Sequence, residues 1–381
     1  MKDPSHLRVA WFADIFDEVS GVITDTEEMY ELAREQKIFW QPVTTYPKPL
    51  YPFHCFPHII KIPTGKFYKD SYNYVPTFAR VTQYLRKQEI NLVVSNTPGM
   101  MGMAAMAAAE YLRLPWVDIY HTDVDFYMDV LSGGLLKPVI NRAALMVLKQ
   151  YQKMADLIFV RTQEYYDLQI KKGHPAKKLR FYPAGVNVDH WNPKYANQDI
   201  WERYGLKSED NIVLFVGRIT KVKDIQFLLD YFKEKKPKKA QLVLVGGGPE
   251  LNEYQEKYES SANITFLGIR RGLELQEIYS SADLYVLPSA SETLGKTVLE
   301  AMASGTPVLV SDKGGPKDYV QENESGCIFK AYDFNSFSER LNYLLSNCNL
   351  KEMGEKAREN SFKNTDKDLF KKFTSDIAEL L

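Results

Sequence analysis

Two α/β domains, each built on a parallel sheet, are the fold class the 381 residues predict, and three observations carry it. At about 150 residues per domain, the length asks for two to three domains. Short β-rich runs bounded by turn residues recur with helical stretches between them, the pattern of strands lying parallel. After a punctuated stretch around Gly185 the same alternation starts again.

In the first half the runs are Leu7 to Ala13, Leu92 to Ser95, Trp116 to Tyr120 and Leu157 to Arg161. Between the first two, the stretch from Gln36 to Lys69 has six prolines and reads as loop and short strand. It holds no Asp or Glu, while Lys37, Lys48, Lys61, Lys66 and Lys69 alternate with aromatics such as Phe39, Trp40, Tyr51 and Phe56. A packed loop is the plainer reading of that stretch, and contact with an anionic lipid surface is the other. Tyr182-Pro183-Ala184-Gly185-Val186 punctuates the chain, and the second half runs through Ile212 to Val216, Gln241 to Val245, Ile264 to Leu267, Leu284 to Leu287 and Pro307 to Val310. Asp366 to Leu381 reads as a last amphipathic helix with no strand to follow. The domains are therefore expected at residues 1–188 plus 366–381, and at 189–365.

Composition removes several classes of function. With 45% hydrophobic and 25% charged residues the chain is neither disordered nor collagenous. A net charge of -1 offers no basic field to hold nucleic acid by counterion release. Cys55, Cys327 and Cys348 lie far apart without a CxxC pair, which argues against a disulfide framework or a zinc ligand set and for a reducing, cytoplasmic setting. The apolar stretch from Pro98 to Ala109 is shorter than the ~20 residues of a membrane span, and no signal-peptide core is evident.

Chemistry concentrates in the second half. Val216-Gly217-Arg218-Ile219-Thr220-Lys221-Val222-Lys223 puts Arg218 and Lys223 at a strand's carboxyl end, the edge where open α/β sheets bind ligands. A planar guanidinium beside a mobile ammonium suits a diphosphate whose charge grows as it leaves. From Pro288 to Gly305 the chain reads strand end, loop and helix, with Thr293 to Lys296 expected to open the helix with unpaired N–H groups suited to phosphate. Glu300 would stand roughly 7 Å further along, in reach of ribose hydroxyls, and Glu292 on the sugar side.

Arg218 with Lys223, and Glu292 with Glu300 as an E-x7-E pair, resemble the signature of retaining nucleotide-sugar glycosyltransferases of family four, which have the GT-B fold. Val245-Gly246-Gly247-Gly248-Pro249, Phe266-Leu267-Gly268, Tyr279-Ser280-Ser281-Ala282-Asp283-Leu284 and Gly314-Gly315-Pro316 are similar to further family landmarks, in the same order. Tyr120-His121-Thr122-Asp123 is similar to a segment of the subgroup that contains mannosyl-, glucosyl- and sulfoquinovosyl-transferases acting on glycolipids. The resemblance implies two Rossmann-like domains facing across a cleft, with the last helix returning to the first. It implies that Arg218 and Lys223 hold the donor diphosphate, Glu300 the ribose, and Glu292 with the amides of Thr293, Leu294 and Gly295 the transferred sugar. Gly21 and Gly217 would let backbone approach the donor, Ile269 would meet the base, His121 would face the donor sugar, and Asp123 would orient an acceptor hydroxyl or His121. Two departures stand out: Ser20-Gly21-Val22 replaces the usual glycine pair near the first strand, and Asp224 stands where glycine commonly follows the second basic residue. Asp224 is expected to point away from the basic pair.

The activity implied is transfer of a hexose, with retention, from a UDP- or GDP-linked sugar to a hydroxyl of a glycolipid or saccharide. Front-side displacement needs neither a protein nucleophile nor a metal or other cofactor, because Arg218, Lys223 and the helix start already balance the diphosphate. Asp123-Val124-Asp125 is accordingly not read as a metal-binding DxD, and Gly246-Gly247-Gly248 has the wrong spacing for a dinucleotide fingerprint. The alternatives are a sugar-nucleotide epimerase of the same fold, a sugar phosphorylase, for which no cofactor-lysine motif is evident, and a non-catalytic nucleotide-sugar-binding module. Attachment to the inner face of a membrane through the lysines of the Gln36 to Lys69 stretch completes the expected picture.

Overall fold

The computed structural model describes residues 3–14, 21–45, 53–63, 72–120, 146, 150–197, 199–206 and 209–381. They form two units, Met1–Pro183 with Lys367–Leu381, and Ala184–Asp366.

In the first unit β1 (Arg8–Phe12), β2 (Phe39–Thr44), β3 (His54–Cys55), β6 (Leu92–Ser95), β7 (Trp116–Tyr120), β8 (Leu157–Val160) and β9 (Leu179–Phe181) form a parallel sheet in the order β3-β2-β1-β6-β7-β8-β9. The residues of β1 alternate between faces: Val9 and Trp11 enter one core, Ala10 and Phe12 the other. Burial on both faces is what a parallel sheet needs, and helices supply the cover. On one face the cover is the last helix, Asp366–Ala378, whose Phe370, Phe373 and Ile377 recur at helical spacing and are fully or almost fully buried. The Phe373 ring lies 4.5 Å from Phe159 and 4.9 Å from Tyr182, and Phe370 lies 5.6 Å from Trp40. The sequence therefore closes its first core with its last helix.

The acid-free stretch contributes strand to this sheet, through β2 and β3, and supplies β4 (His58–Pro63), which pairs antiparallel with β5 (Tyr72–Pro76) just beyond it. Trp40, Phe53 and Phe56 are core residues, so these aromatics do not face solvent beside the lysines. Ile59 and Ile60 are exposed, at 64% and 53%, where a bulge interrupts the β4–β5 register. Lys48, Tyr51, Lys66 and Lys69 lie outside the described residues.

The second unit has a parallel sheet of β10 (Asn211–Val216), β11 (Ala240–Val245), β12 (Ile264–Gly268), β13 (Leu284–Leu287), β14 (Val308–Ser311) and β15 (Gly326–Phe329), in the order β12-β11-β10-β13-β14-β15. Ala184 and Val186 already belong to its core, which moves the boundary a few residues ahead of the expected 188/189. Val186 bridges Thr365, so the chain leaves this unit beside the point where it entered. Gly185 allows that approach, since a Cβ there would come 2.8 Å from Asp366 Cα.

Candidate active site

The order of the second sheet reverses between β10 and β13, because β10 pairs with β11 on one side and β13 on the other. Loops leaving the strands at such a point diverge and open a crevice at the carboxyl edge. Gly217 to Lys223 follows β10 and Pro288 to Gly295 follows β13, so both expected binding segments flank this one point.

The two loops are stitched together. The Ser289 hydroxyl donates to the Val222 carbonyl at 3.0 Å, the Ser291 hydroxyl to the same carbonyl at 3.2 Å, and the Ala290 N–H to the Asp224 carboxylate at 2.9 Å. The Lys223 ammonium donates to the Glu292 carboxylate. Asp224 adopts the left-handed conformation, φ 52°, that glycine enters most freely and that Asp tolerates better than most residues. Its departure from the glycine pattern thus keeps the backbone shape. Its carboxylate accepts from the Ala290 N–H and the Tyr332 hydroxyl; burial raises its pKa, and those two bonds and then the charge of Lys223 offset part of the rise.

Burial alone would raise the Glu292 carboxyl, but the Lys223 ammonium and the N–H groups of Gly295 and Leu294 outweigh it and hold the pKa below its ordinary value. Glu292 is therefore a carboxylate held by a cation on one side and a backbone turn on the other. The helix Lys296–Ala303 opens on Lys296, at the end of the expected stretch, with Gly295 at φ 59° before it. Thr293, Leu294 and Gly295 accordingly form the turn and not the first helical residues. No acidic residue occupies the helix's first turn, and Lys296 adds a positive charge to the positive end of the helix dipole.

Glu300, one turn further on, is raised by burial, with Lys296 and the Tyr279 hydroxyl opposing. Tyr279 donates to Glu300 Oε2 at 2.9 Å. The charges of both carboxylates reach the buried Tyr285 of β13, whose hydroxyl is 2.7 Å from that of Thr297 and whose pKa is raised by burial and then by Glu292 and Glu300.

Glycines let the loops around the site approach one another closely. A Cβ on Gly246 would meet the Gly217 carbonyl at 1.8 Å, and one on Gly314 would meet the Glu292 carbonyl at 2.3 Å. The Gly315 N–H donates to that same Glu292 carbonyl at 2.9 Å, and Gly295 has room for no Cβ because of Pro316. The landmark Gly314-Gly315-Pro316 thus braces the Glu292 turn.

Arg218 follows Gly217 on the β10 loop and is half-buried. Ile269, after β12, is 58% exposed, and its carbonyl accepts from Arg270 at 3.0 Å. Gly21 is the first residue of the helix Gly21–Glu35, in the first unit. Ser20, His121, Asp123 and Asp125 lie outside the described residues. Sequence reasoning missed Tyr279, Tyr285, Ser289 and Ser291, whose part depends on long-range pairing; the available signal was that all four sit inside segments already singled out.

Residues 197–363 match the glycosyl transferases group 1 family, and residues 38–190 match glycosyltransferase family 4. The chain is 32% identical over 291 residues to the sulfoquinovosyl transferase SQD2 of Arabidopsis thaliana, covering 74% of this chain and 56% of that one. It therefore spans little more than half the length of that relative. With the alpha-monoglucosyldiacylglycerol synthase of Acholeplasma laidlawii it shares 25% identity over 343 residues, 85% of each chain. The crystal structure of HepE from Anabaena in complex with UDP and glucose superposes with a TM-score of 0.78 at 17% identity, covering 99% of this chain and 100% of that one, a likeness of fold.

Proposed function

The chain belongs to the group 1, family 4 glycosyltransferases and has their GT-B fold, and from that premise we propose that it transfers a hexose, with retention of configuration, from a UDP- or GDP-linked sugar to a hydroxyl of a glycolipid or saccharide. The observation that carries the reading is the Lys223–Glu292 pair at the reversal point of the second sheet, with Glu300 one helical turn beyond.

Lys223 has three N–H donors, and Glu292 takes one, fixing the ammonium where the others meet the donor diphosphate. Arg218 clamps the same phosphates, and the helix start at Lys296 adds its dipole. Glu300 accepts from the ribose hydroxyls, and Ile269 meets the base. Glu292 and the amides of Thr293, Leu294 and Gly295 bind the transferred sugar, with Gly21 and Gly217 leaving room for the donor. As the bond to the leaving phosphate breaks, these cations stabilise the charge that grows there. The leaving phosphate takes the acceptor's proton on the same face, which gives retention without a protein nucleophile or a metal ion. From the resemblance, His121 is assigned to the donor sugar and Asp123 to orienting an acceptor hydroxyl or His121.

The acceptor belongs to the first unit. The relatives named for sulfoquinovosyl and monoglucosyldiacylglycerol chemistry support a lipid-linked one. So does the surface of this unit: Ile59 and Ile60 are exposed, Phe78 packs at 5.7 Å on the exposed Tyr111, and Arg86 lies 5.6 Å from the Tyr111 ring. Residues 36–88 carry eight Lys and Arg against the single acid Asp70. We place this face against an anionic membrane surface, peripherally and on the cytoplasmic side. Among the described residues no helix is long and apolar enough to cross a membrane.

Donor consumption with and without acceptor tests the reading. Transfer requires the acceptor and yields a product with the donor's anomeric configuration. Turnover of donor alone to an epimer would replace the reading with an epimerase, and binding with no turnover under any acceptor would leave a binding module.

A further inference from the structure

We propose that Tyr279 is a positioning residue whose hydroxyl fixes the Glu300 carboxylate in the orientation that reads the donor's ribose. The inference rests on the assignment of Glu300 to the ribose and adds the group that makes the assignment selective.

Tyr279 lies in the helix Gly272–Ser281 with no exposed surface. Its ring is wedged edge-on against Trp191 at 5.1 Å and tilted against Tyr285 at 6.0 Å, while the Thr306 hydroxyl donates to its carbonyl at 2.5 Å. A phenylalanine would fill that volume equally well. The hydroxyl is therefore present for its partner, and the partner is Glu300 Oε2 at 2.9 Å.

A glutamate on a helix has several rotamers, and here it has a competing partner. Lys296 stands one turn earlier at the i, i+4 spacing and attracts the same carboxylate. The single O–H of Tyr279 occupies one lone pair of Oε2 and opposes that pull from a ring that cannot move. A carboxylate offers about four acceptor positions, so Oε1 and the rest of Oε2 remain for a pair of ribose O–H donors. Ordering the carboxylate in advance removes a rotamer cost that nucleotide binding would otherwise carry.

The test is the binding of uridine and guanosine diphosphates and of their 2′,3′-dideoxy counterparts, measured by calorimetry with the whole chain, its Tyr279→Phe variant and its Glu300→Ala variant. The wild-type chain should prefer the ribo form of its own nucleotide by about tenfold or more, the scale of a hydrogen bond to a charged group. Tyr279→Phe keeps every ring contact and should shrink the preference to about threefold or less, leaving the dideoxy affinity unchanged. Glu300→Ala should abolish the preference. If Tyr279→Phe keeps the full preference while Glu300→Ala loses it, the positioning role is wrong and the ribose assignment stands. Equal weakening of ribo and dideoxy forms by Tyr279→Phe would likewise mark a purely structural tyrosine and overturn the inference. A preference that survives Glu300→Ala removes the ribose assignment, and the inference with it.

Discussion

Replacing Lys223 by methionine takes away the cation while keeping most of the side chain's volume. Glu292 then stays in place with only the turn amides of Leu294 and Gly295 to stabilise it. The side chains of Lys223 and Glu292 retain 26% and 14% of their exposure, so the pair lies between a surface ion pair, worth about 0–1 kcal/mol, and a fully buried one, whose breaking costs about 3–5 kcal/mol. The two remaining N–H groups favour the lower part of that interval. About 1–2 kcal/mol is expected, which for a unit the size of Ala184–Asp366 lowers the melting temperature by about 2–8 °C. Because the folded pKa of Glu292 is depressed, the pair's contribution is fully present above the ordinary value of 4.5 and is lost as pH falls through the lower folded value. The gap between wild type and Lys223→Met, measured by calorimetry, should therefore be full at pH 7 and close below about pH 4.5. Adding Glu292→Gln should restore much of the loss, since it removes the stranded charge. Strictly additive single effects, or a gap that does not change with pH, would refute the coupling.

Arg218→Ala, folded and assayed with donor and acceptor, should cut turnover by roughly 10²-fold, the scale of losing one transition-state charge partner; near-wild-type rates would remove the clamp. Activity should survive a strong chelator, and loss on EDTA with recovery on manganese or magnesium would return a metal role to Asp123-Val124-Asp125. In sedimentation with anionic liposomes, binding at low salt should fall at high salt, in Ile59→Ser with Ile60→Ser, and when Lys48, Lys61 and Lys66 become glutamine, at about 1 kcal/mol per lysine near the surface. Binding that never appears, or that ignores both sets of changes, would retire the membrane face. Arg161→Met should destabilise the first unit by about 3 kcal/mol, because it removes the guanidinium that pairs with Asp25 at 3.0 Å in the interior; a melting temperature unchanged from wild type would count against that pair.

The central strands were legible in the sequence because each is a run of Val, Ile, Leu or aromatic residues buried on both faces, as in Leu92 to Ser95 and Leu284 to Leu287. The strands overlooked are short or chemically mixed. β9 is three residues, β15 begins with glycine, and β2 carries Pro42, which a strand near the edge of the sheet accommodates. The charged residues of the site were legible from their spacing along two loops. What spacing could not show is how those loops meet: the Ser289 and Ser291 bonds to Val222 and the Asp224 bond to Ala290 join positions about seventy apart in sequence. The partner of Asp224 was hidden for the same reason, since the Ala290 N–H that it accepts from is brought to it by the sheet order and leaves no local trace.

Thermal stabilisation of the chain by UDP-, GDP- and ADP-linked sugars, compared with Arg218→Ala, tests most directly whether the reversal point of the second sheet is a donor site. One nucleotide class at about 100 times its dissociation constant should stabilise the wild-type chain by roughly 2.7 kcal/mol, and the variant much less. Absence of stabilisation by every nucleotide sugar, or equal stabilisation of wild type and Arg218→Ala, would contradict it.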